Sequence, residues 1–335
     1  MNTRGVALPV LIIGIVVVGV IVVSVVSKLR GRANPVTEVA QKATKVITGG
    51  AGFDFDESTP GYENYTKLLQ GCPFKDCIPS IDDPVFESVS EADGWLNDDD
   101  VVFALDYKEE SRAYPQKILN HHEIVNDVVA GDRLAITFCP LCGSALAFDS
   151  RVDGQTLEFG VSGKLLDNDL IMYDRQTESL WQQITGEAIV GEMFGKRLKQ
   201  IPLPGMRWSQ FKQDFPDGQV LSRDTGYSRN YDRSPYGDYE QRKAPLFPVA
   251  GGVDDTIHPK TVVYGVEIEK SFKAYPEEKI ENEGEIEDQV GGVKVKLVYN
   301  NGDVTVERSD TGEEITATRL FWFAWKAFRP ETDLY

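Results

Sequence analysis

The sequence lacks the motifs of the common nucleotide-dependent and hydrolytic sites. It has no Walker loop, dinucleotide fingerprint, nucleophile elbow or zinc-protease motif, so nucleotide-dependent chemistry is disfavoured. Histidine and cysteine are scarce, with 3 and 4 residues in 335, so a site made of imidazoles or thiols has few candidates. Hydrophobic residues make up 41% of the chain, which suffices for a substantial core and argues against wholesale disorder.

Charge is absent from residues 8–26, a stretch of aliphatic residues, glycine and serine. A run of about 20 apolar residues matches the hydrocarbon thickness of a bilayer. The alternative is a cleaved signal peptide, whose apolar region is shorter and ends in a small-residue cleavage site. No such site follows Val26, so we expect a retained transmembrane helix within an anchor at 1–32, followed by a tether at 33–64.

The charges around this span give conflicting indications of its orientation. Arg4 precedes the span and Lys28, Arg30 and Arg32 follow it, which favours a cytoplasmic domain by the positive-inside rule. The first 32 residues hold 4 of the 35 basic residues and none of the 53 acidic ones, so residues 33–335 carry 31 minus 53, or −22. Such acidity disfavours nucleic acid or an anionic membrane surface as a partner and suits an outward-facing domain.

Short β-rich runs broken by turn signals dominate the sequence from Asp82 onward, and helical stretches are few. An internal repeat is present, because 101–115 (VVFALDYKEESRAYP) aligns without gaps on 262–276 (VVYGVEIEKSFKAYP). At the same offset of 161, RLAITF falls within VKVKLVY. We predict a mainly β (β-rich α+β) fold with two related β lobes from an internal duplication, at 65–250 and 251–335, plus the N-terminal transmembrane helix.

The residues best suited to chemistry cluster in the first copy of the repeat. His121, His122 and Glu123 precede the pair Cys139 and Cys142 in TFCPLCGSA, with a predicted hairpin between them. One interpretation is a thiol-redox site, in which a nearby imidazole activates a thiol. Another is a zinc or copper site, because thiolates and imidazoles suit those metals. The third is structural, with a buried disulfide or two buried thiols at a β-turn beside core histidines.

The other two cysteines, Cys72 and Cys77, flank a short polar loop in GCPFKDCIP. We expect a disulfide there that staples a surface turn. Structural disulfides persist in oxidising compartments, so this pair favours an extracytoplasmic domain on a single-pass membrane anchor.

Several long motifs resemble the domain-of-unknown-function family 3179, in order HEIVND, FCPLCGSALAFD, FGVSGKLLDNDLIMYDRQTESLWQQITGEAIVG, LSRDTGYSRNY and FWFAWKAFRPET. The family is described as exported proteins of bacteria and archaea and as selenoprotein candidates. The resemblance implies that Cys139 and Cys142 are a redox or metal centre, with His122 in the family's HEIVND motif. Position 121 is commonly tryptophan in the family, which makes His121 the weaker candidate.

The middle motif is rich in hydrogen-bonding groups that could line a cleft beside the thiols, and the cofactor-binding candidates are Lys164, Asp169, Arg175 and Trp181. A buried polar network is the alternative. The sequence thus predicts a membrane-anchored thiol-redox or metal-thiolate protein, an oxidoreductase if it is an enzyme, with Cys139, Cys142, His122 and Glu123 as catalytic candidates. A redox or cell-surface protein is the expected partner. The alternatives are a non-catalytic cell-surface module that binds a metal or a protein, and a structural envelope protein.

Overall fold

Strands form where apolar residues alternate with polar ones, as in Glu285–Val290, where Ile286 and Val290 are buried between more exposed polar neighbours. This spacing places the apolar side chains on one face of a sheet. The computed structural model, which describes residues 52–300 and 302–335, is mainly β, as the sequence predicts.

The helices are short. In chain order they are α1 (Tyr62–Tyr65), α2 (Val89–Ala92), α3 (Gln116–His122), α4 (Trp208–Asp214), α5 (Glu277–Glu283) and α6 (Trp322–Phe328), with a 3-10 turn at Tyr239–Gln241. The strands are β1 (Leu69–Gln70), β2 (Phe86–Ser88), β3 (Val101–Tyr107), β4 (Glu110–Pro115), β5 (Ile124–Val129), β6 (Asp132–Cys139), β7 (Ser144–Asp149), β8 (Arg151–Val152), β9 (Gln155–Thr156), β10 (Phe159–Leu166), β11 (Asp169–Asp174), β12 (Leu180–Gln182), β13 (Ala188–Val190), β14 (Lys199–Ile201), β15 (Gly205–Arg207), β16 (Gln219–Leu221), β17 (Val262–Ile268), β18 (Ser271–Pro276), β19 (Glu285–Val290), β20 (Val293–Asn300), β21 (Asp303–Arg308), β22 (Thr318–Phe321) and β23 (Asp333–Leu334).

Five sheets are arranged as a propeller-like ring with five blades. Their strand orders are β15-β3-β4-β16-β2 (sheet A), β14-β7-β6-β5 (sheet B), β1-β10-β11-β12-β13 (sheet C), β22-β17-β18-β23 (sheet D) and β19-β20-β21 (sheet E). Neighbouring strands are antiparallel except for β4–β16 in sheet A and β18–β23 in sheet D, which are parallel. Strands β8 and β9 form a separate ribbon.

The sequence repeat is reproduced element by element. Each of β3, β4, α3, β5 and β6 begins and ends 161 residues before its counterpart among β17, β18, α5, β19 and β20. The registers agree as well, since Val102 pairs with Pro115 and Val263 with Pro276. Sheets A and B therefore correspond to sheets D and E.

The repeat extends further than the sequence alignment indicates. An offset of 114 residues relates the end of β15 to the end of β22. The same offset relates helix α4 to helix α6 and the start of β16 to the start of β23. The offset falls from 161 at β6 to 114 at α4, so the first copy holds 47 additional residues between these two elements. Four of the five strands of sheet C, β10 to β13, lie in this part of the chain. The division into lobes at 65–250 and 251–335 remains a prediction, and 54–335 form one compact unit.

The two copies contact each other reciprocally at their hairpin turns. A Cβ on Gly143 would lie 2.9 Å from the Phe321 ring, and one on Gly302 would lie 3.1 Å from Cγ of Arg207. Phe321 and Arg207 occupy corresponding positions in β22 and β15. The amide of Phe321 also donates to the carbonyl of Cys142 at 2.8 Å. Each turn thus packs on the strand that precedes the last helix of the other copy.

The predicted transmembrane helix, at 8–26, lies outside the described residues. Within 52–300 and 302–335, no helix is long and apolar enough to cross a bilayer.

Gly265→Ala is expected to lower the free energy of unfolding by about 1–3 kcal/mol, because the added Cβ would overlap the Trp325 ring. In the first copy the corresponding residues are Ala104 and the smaller Phe211. Combining Gly265→Ala with Trp325→Phe recreates that pair, so the double variant should be less destabilised than the sum of the two single variants. Urea unfolding of the four proteins measures this coupling, and strictly additive losses would contradict the equivalence of the two copies.

Candidate functional site at the Cys139–Cys142 turn

The sequence Cys-Pro-Leu-Cys-Gly forms the turn of the hairpin between β6 and β7. Strand β6 ends at Cys139, which pairs with Ser144, and the amide of Cys142 donates to the carbonyl of Cys139 at 3.2 Å. The prediction that this pair lies at a strand end is therefore confirmed. In the second copy Asn300 pairs with Asp303, so two residues instead of four connect the strands. The longer turn carries Cys142, and the second copy has no cysteine.

Both sulfurs lie beside the carboxyl group of Asp169. Cys139, Cys142 and Asp169 are 2%, 0% and 0% exposed, and their potential ligand atoms lie within 4.8 Å of one another. Asp169 reaches this position because Asp167 and Asn168 form the two-residue turn between β10 and β11, both with positive φ. The Cys139 thiol donates to the carbonyl of Asn168 at 3.3 Å. The turn of one hairpin thus rests against the turn of the next.

The Asp169 carboxyl is only partly satisfied. Its Oδ2 accepts a hydrogen bond from the amide of Ile184 at 3.0 Å, whereas its Oδ1 is buried and has no hydrogen-bond partner among the described residues. Burial raises the pKa of Asp169 well above its usual value. Burial also raises the pKa of the Cys142 thiol, and the adjacent Cys139 raises it further. The neutral forms of these groups are therefore favoured in the absence of a compensating positive charge.

This donor set fits a transition metal of borderline or soft character. Two thiolates and one carboxylate are ligands that zinc accepts, and the thiolates also suit copper. Among the described residues, this is the one group of at least three histidine, cysteine or acidic side chains whose ligand atoms converge in this way. The carbonyl of Asn168, next to the Cys139 sulfur, is a further oxygen donor within reach.

The two histidines proposed from the sequence as metal ligands do not join this group. His122 is fully buried, and its Nδ1 and Nε2 lie 2.8 Å from the Pro79 carbonyl and 2.7 Å from the Tyr231 hydroxyl. Burial lowers its pKa to about 4, so the ring is neutral. His121 instead hydrogen-bonds the carbonyl of Arg233 at 3.1 Å. Both ring nitrogens of His122 thus have hydrogen-bond partners, and its role as ligand or base stays a prediction.

Glu123 points to a different partner from the one expected. It was predicted to orient His122, but its carboxyl accepts a hydrogen bond from the Tyr236 hydroxyl at 2.7 Å. The residue ends α3 with φ 60°, a left-handed conformation that is uncommon for residues other than glycine. It is 6% exposed, and burial raises its pKa to about 7. Glu123, Tyr236 and Leu141 of the cysteine turn line one cavity.

The four residues proposed from the middle motif divide between this region and elsewhere. Asp169 adjoins the sulfurs, and Lys164 lines the cavity with Glu123. Arg175 instead forms an ion pair with Asp82 at 2.9 Å, and the Trp181 indole donates to Asp174 at 2.9 Å. Trp181 and Asp174 are buried, which fits the alternative interpretation of a buried polar network, whereas the Arg175–Asp82 ion pair lies at the surface.

A long loop, residues 222–261, covers the site and was not recognised from the sequence. It lies between β16 and β17 and contains one 3-10 turn. Its Phe247 exchanges two hydrogen bonds with the Asn168 side chain, at 2.8 and 2.9 Å. The Tyr239 hydroxyl donates to the Leu141 carbonyl at 2.9 Å. Loops of this length in compact domains are usually functional or linker segments. The length of the loop was therefore the one feature of the sequence that indicated a functional role for it.

The other cysteine pair behaves as predicted. Cys72 and Cys77 form a disulfide, whereas Cys139 and Cys142 are free. Cys72 lines the same cavity as Leu141 and Glu123.

Comparison with known proteins agrees with this assignment of motifs. A family model described as "Protein of unknown function (DUF3179)" matches residues 75–311, which is more than half of the chain. The chain belongs to this family. The DUF3179 match includes both cysteines of the turn, Asp169, Glu123 and the loop 222–261. No curated protein and no solved structure matches the chain.

Stability is expected to depend on pH through Glu123. Its pKa is about 7 in the folded protein and about 4.5 for the free side chain, so the folded state binds the proton more tightly. Its contribution is complete below about pH 4.5 and is lost as the pH rises to about 7, a decrease of about 3 kcal/mol in the free energy of unfolding. Glu123→Gln retains an acceptor for Tyr236 and should remove this decrease. Chemical unfolding at pH 5 and pH 8 measures it, and equal decreases in both proteins would contradict the assignment.

Proposed function

We propose that this DUF3179 protein is a metal-thiolate protein in which Cys139, Cys142 and Asp169 bind one zinc or copper ion. One observation carries the proposal. The three side chains are buried, their ligand atoms lie within 4.8 Å of one another, and Oδ1 of Asp169 lacks a hydrogen-bond partner among the described residues. Buried polar atoms are otherwise almost always paired.

Charge supports the same proposal. Burial raises the pKa of the Cys142 thiol and of the Asp169 carboxyl group, so both groups hold their protons. A divalent ion displaces those protons and compensates the negative charge, so metal binding should release protons and weaken at low pH. The three protein ligands leave room in a tetrahedral arrangement for a fourth donor.

A second candidate function is dithiol redox chemistry. Cys139 and Cys142 are free, lie close together and have the spacing at which two thiols close a small disulfide. In this version they would reduce a disulfide of a partner protein, forming their own disulfide as the partner gains two thiols. The burial of both sulfurs and the raised pKa of Cys142 make them slow nucleophiles. The metal site is therefore preferred.

We propose further that residues 8–26 anchor the protein in a membrane with the large domain outside the cytoplasm. The Cys72–Cys77 disulfide supports this location, since such bonds persist in oxidising compartments. The net charge of −22 for residues 33–335 is compatible with it. A protease-protection experiment on native membranes tests the orientation, and a protected domain in intact cells would refute it.

The full chain purified from its native host is expected to contain about one zinc or copper ion per molecule, as a three-ligand site implies. Cys139→Ser, Cys142→Ser and Asp169→Asn should each lower the bound metal at least about tenfold. His122→Ala serves as the control, because His122 is buried but outside the donor group, and it should retain the metal. Elemental analysis gives the content.

Thiol titration of the same samples separates the two candidate functions. A metal-free protein in which Cys139 and Cys142 form a disulfide, reversibly reduced, would favour the dithiol version. A metal-free protein with unreactive thiols would contradict both. Loss of metal in His122→Ala together with a native unfolding midpoint would restore the histidine to the donor set.

A further inference from the structure

A cavity of about 100 Å³ lies beside the cysteine turn, under the loop 222–261. Its wall is mainly aliphatic, with Leu141, Leu165 and Leu246 among the residues that form it. Leu246 is 57% exposed, so the cavity reaches the protein surface. Glu123, Tyr236 and Lys164 are the charged or hydroxyl-bearing side chains in the wall.

The backbone conformation at Glu123 does not require a glutamate at this position. Its counterpart in the second copy is Gly284, which ends α5 with φ 74° and ψ −41°, against 60° and −30° for Glu123. The flanking hydrogen bonds are also equivalent. The amides of Glu123 and Gly284 both donate to the helix at 2.8 Å, and their carbonyls accept from Phe138 at 2.7 Å and from Tyr299 at 2.9 Å.

The fold is therefore built equally well with glycine, which adopts this conformation without steric strain. In the first copy a residue with a Cβ occupies the strained position, and its carboxyl group is buried in an apolar wall. Both features oppose stability. Strained residues of this kind cluster at sites where the side chain has a functional role. Glu123 lines the cavity, so the cavity is the space in which that role is exercised.

The hydrogen-bonding groups in the cavity wall and the charge of the domain indicate which class of ligand the cavity suits. Glu123 accepts one hydrogen bond from Tyr236 and no other from the described residues, so it retains acceptor capacity for a donor. Lys164 is already engaged, with its Nζ 3.3 Å from Gln70 Oε1 and 4.7 Å from the centre of the Tyr65 ring. The strongly acidic domain attracts cations and repels anions.

We propose that this cavity binds a small organic cation, a primary amine with a compact apolar body, and that Glu123 is its anchoring carboxylate. The ammonium group donates to Glu123 while the apolar body contacts Leu141, Leu165 and Leu246. A cavity of about 150 Å³ holds benzene, so this one accepts a body of about four carbon atoms. The proposal does not depend on the metal, since Glu123 is not a member of the donor group.

Isobutylammonium chloride is a suitable probe, and isothermal titration calorimetry of the full chain at pH 8 measures its binding. Isobutanol and isobutyrate, of the same shape but neutral and negative, should bind at least about tenfold more weakly. Glu123→Gln should weaken binding of the amine by about the same factor. Absence of amine binding, tighter binding of isobutyrate, or unchanged binding in Glu123→Gln would each overturn the proposal.

A matched pair of variants tests the argument from the repeat. Glu123→Gly should abolish binding of isobutylammonium and raise the thermal unfolding midpoint, because it relieves both the strain and the buried carboxyl group. Gly284→Glu places the same side chain at the equivalent position of the second copy and should lower the midpoint without affecting binding. If Glu123→Gly lowers the midpoint as Gly284→Glu does, Glu123 is structural and the proposal fails, whatever the metal content.

Discussion

The reciprocal packing of the two hairpin turns is the contact on which the rest of the structure depends. Each turn approaches the opposite copy closely at a glycine with positive φ, Gly143 against Phe321 and Gly302 against Arg207, so a larger residue would be strained there. Both approaches join one copy to the other within the ring of five sheets. The cysteine turn lies at one of these junctions. The other borders a polar cavity of about 410 Å³, with Arg207 and Arg319 in its wall.

The copies differ where the first one carries functional groups. The first has a turn longer by two residues, a glutamate in place of Gly284, 45 further residues after that hairpin that supply most of sheet C, and the loop 222–261 after its last strand. These additions converge. Sheet C brings Asp169 to the sulfurs, and the loop brings Tyr236 to Glu123 and Tyr239 to the turn. The buried Cys139–Cys142–Asp169 group and the cavity lined by Glu123 therefore both adjoin the Cys-Pro-Leu-Cys turn.

The sequence predicts the strands and turns well, but it predicts poorly which distant residues meet at the cysteine turn. Gap-free alternation of apolar residues located β3 to β6 and their counterparts, because strand periodicity is a local property. The equivalence of Trp208 with Trp322 was hidden, since the 47 inserted residues change the offset. Asp169 was predicted to line a cleft beside the thiols but not to join them as a potential metal ligand, because that contact joins turns of separate hairpins. His122 and Glu123 were paired as sequence neighbours, whereas the left-handed backbone turns Glu123 toward Tyr236.

The turn longer by two residues also bears on how such a site arises. Strands β6 and β7 keep the same pairing as β20 and β21, so the extra residues change the tip of the hairpin and leave its ladder intact. The two copies thus maintain the same ladder with tips of different length, one that carries two cysteines and one that carries none. The tip of the hairpin can therefore differ in length and in side chains without disturbing the strands that hold it.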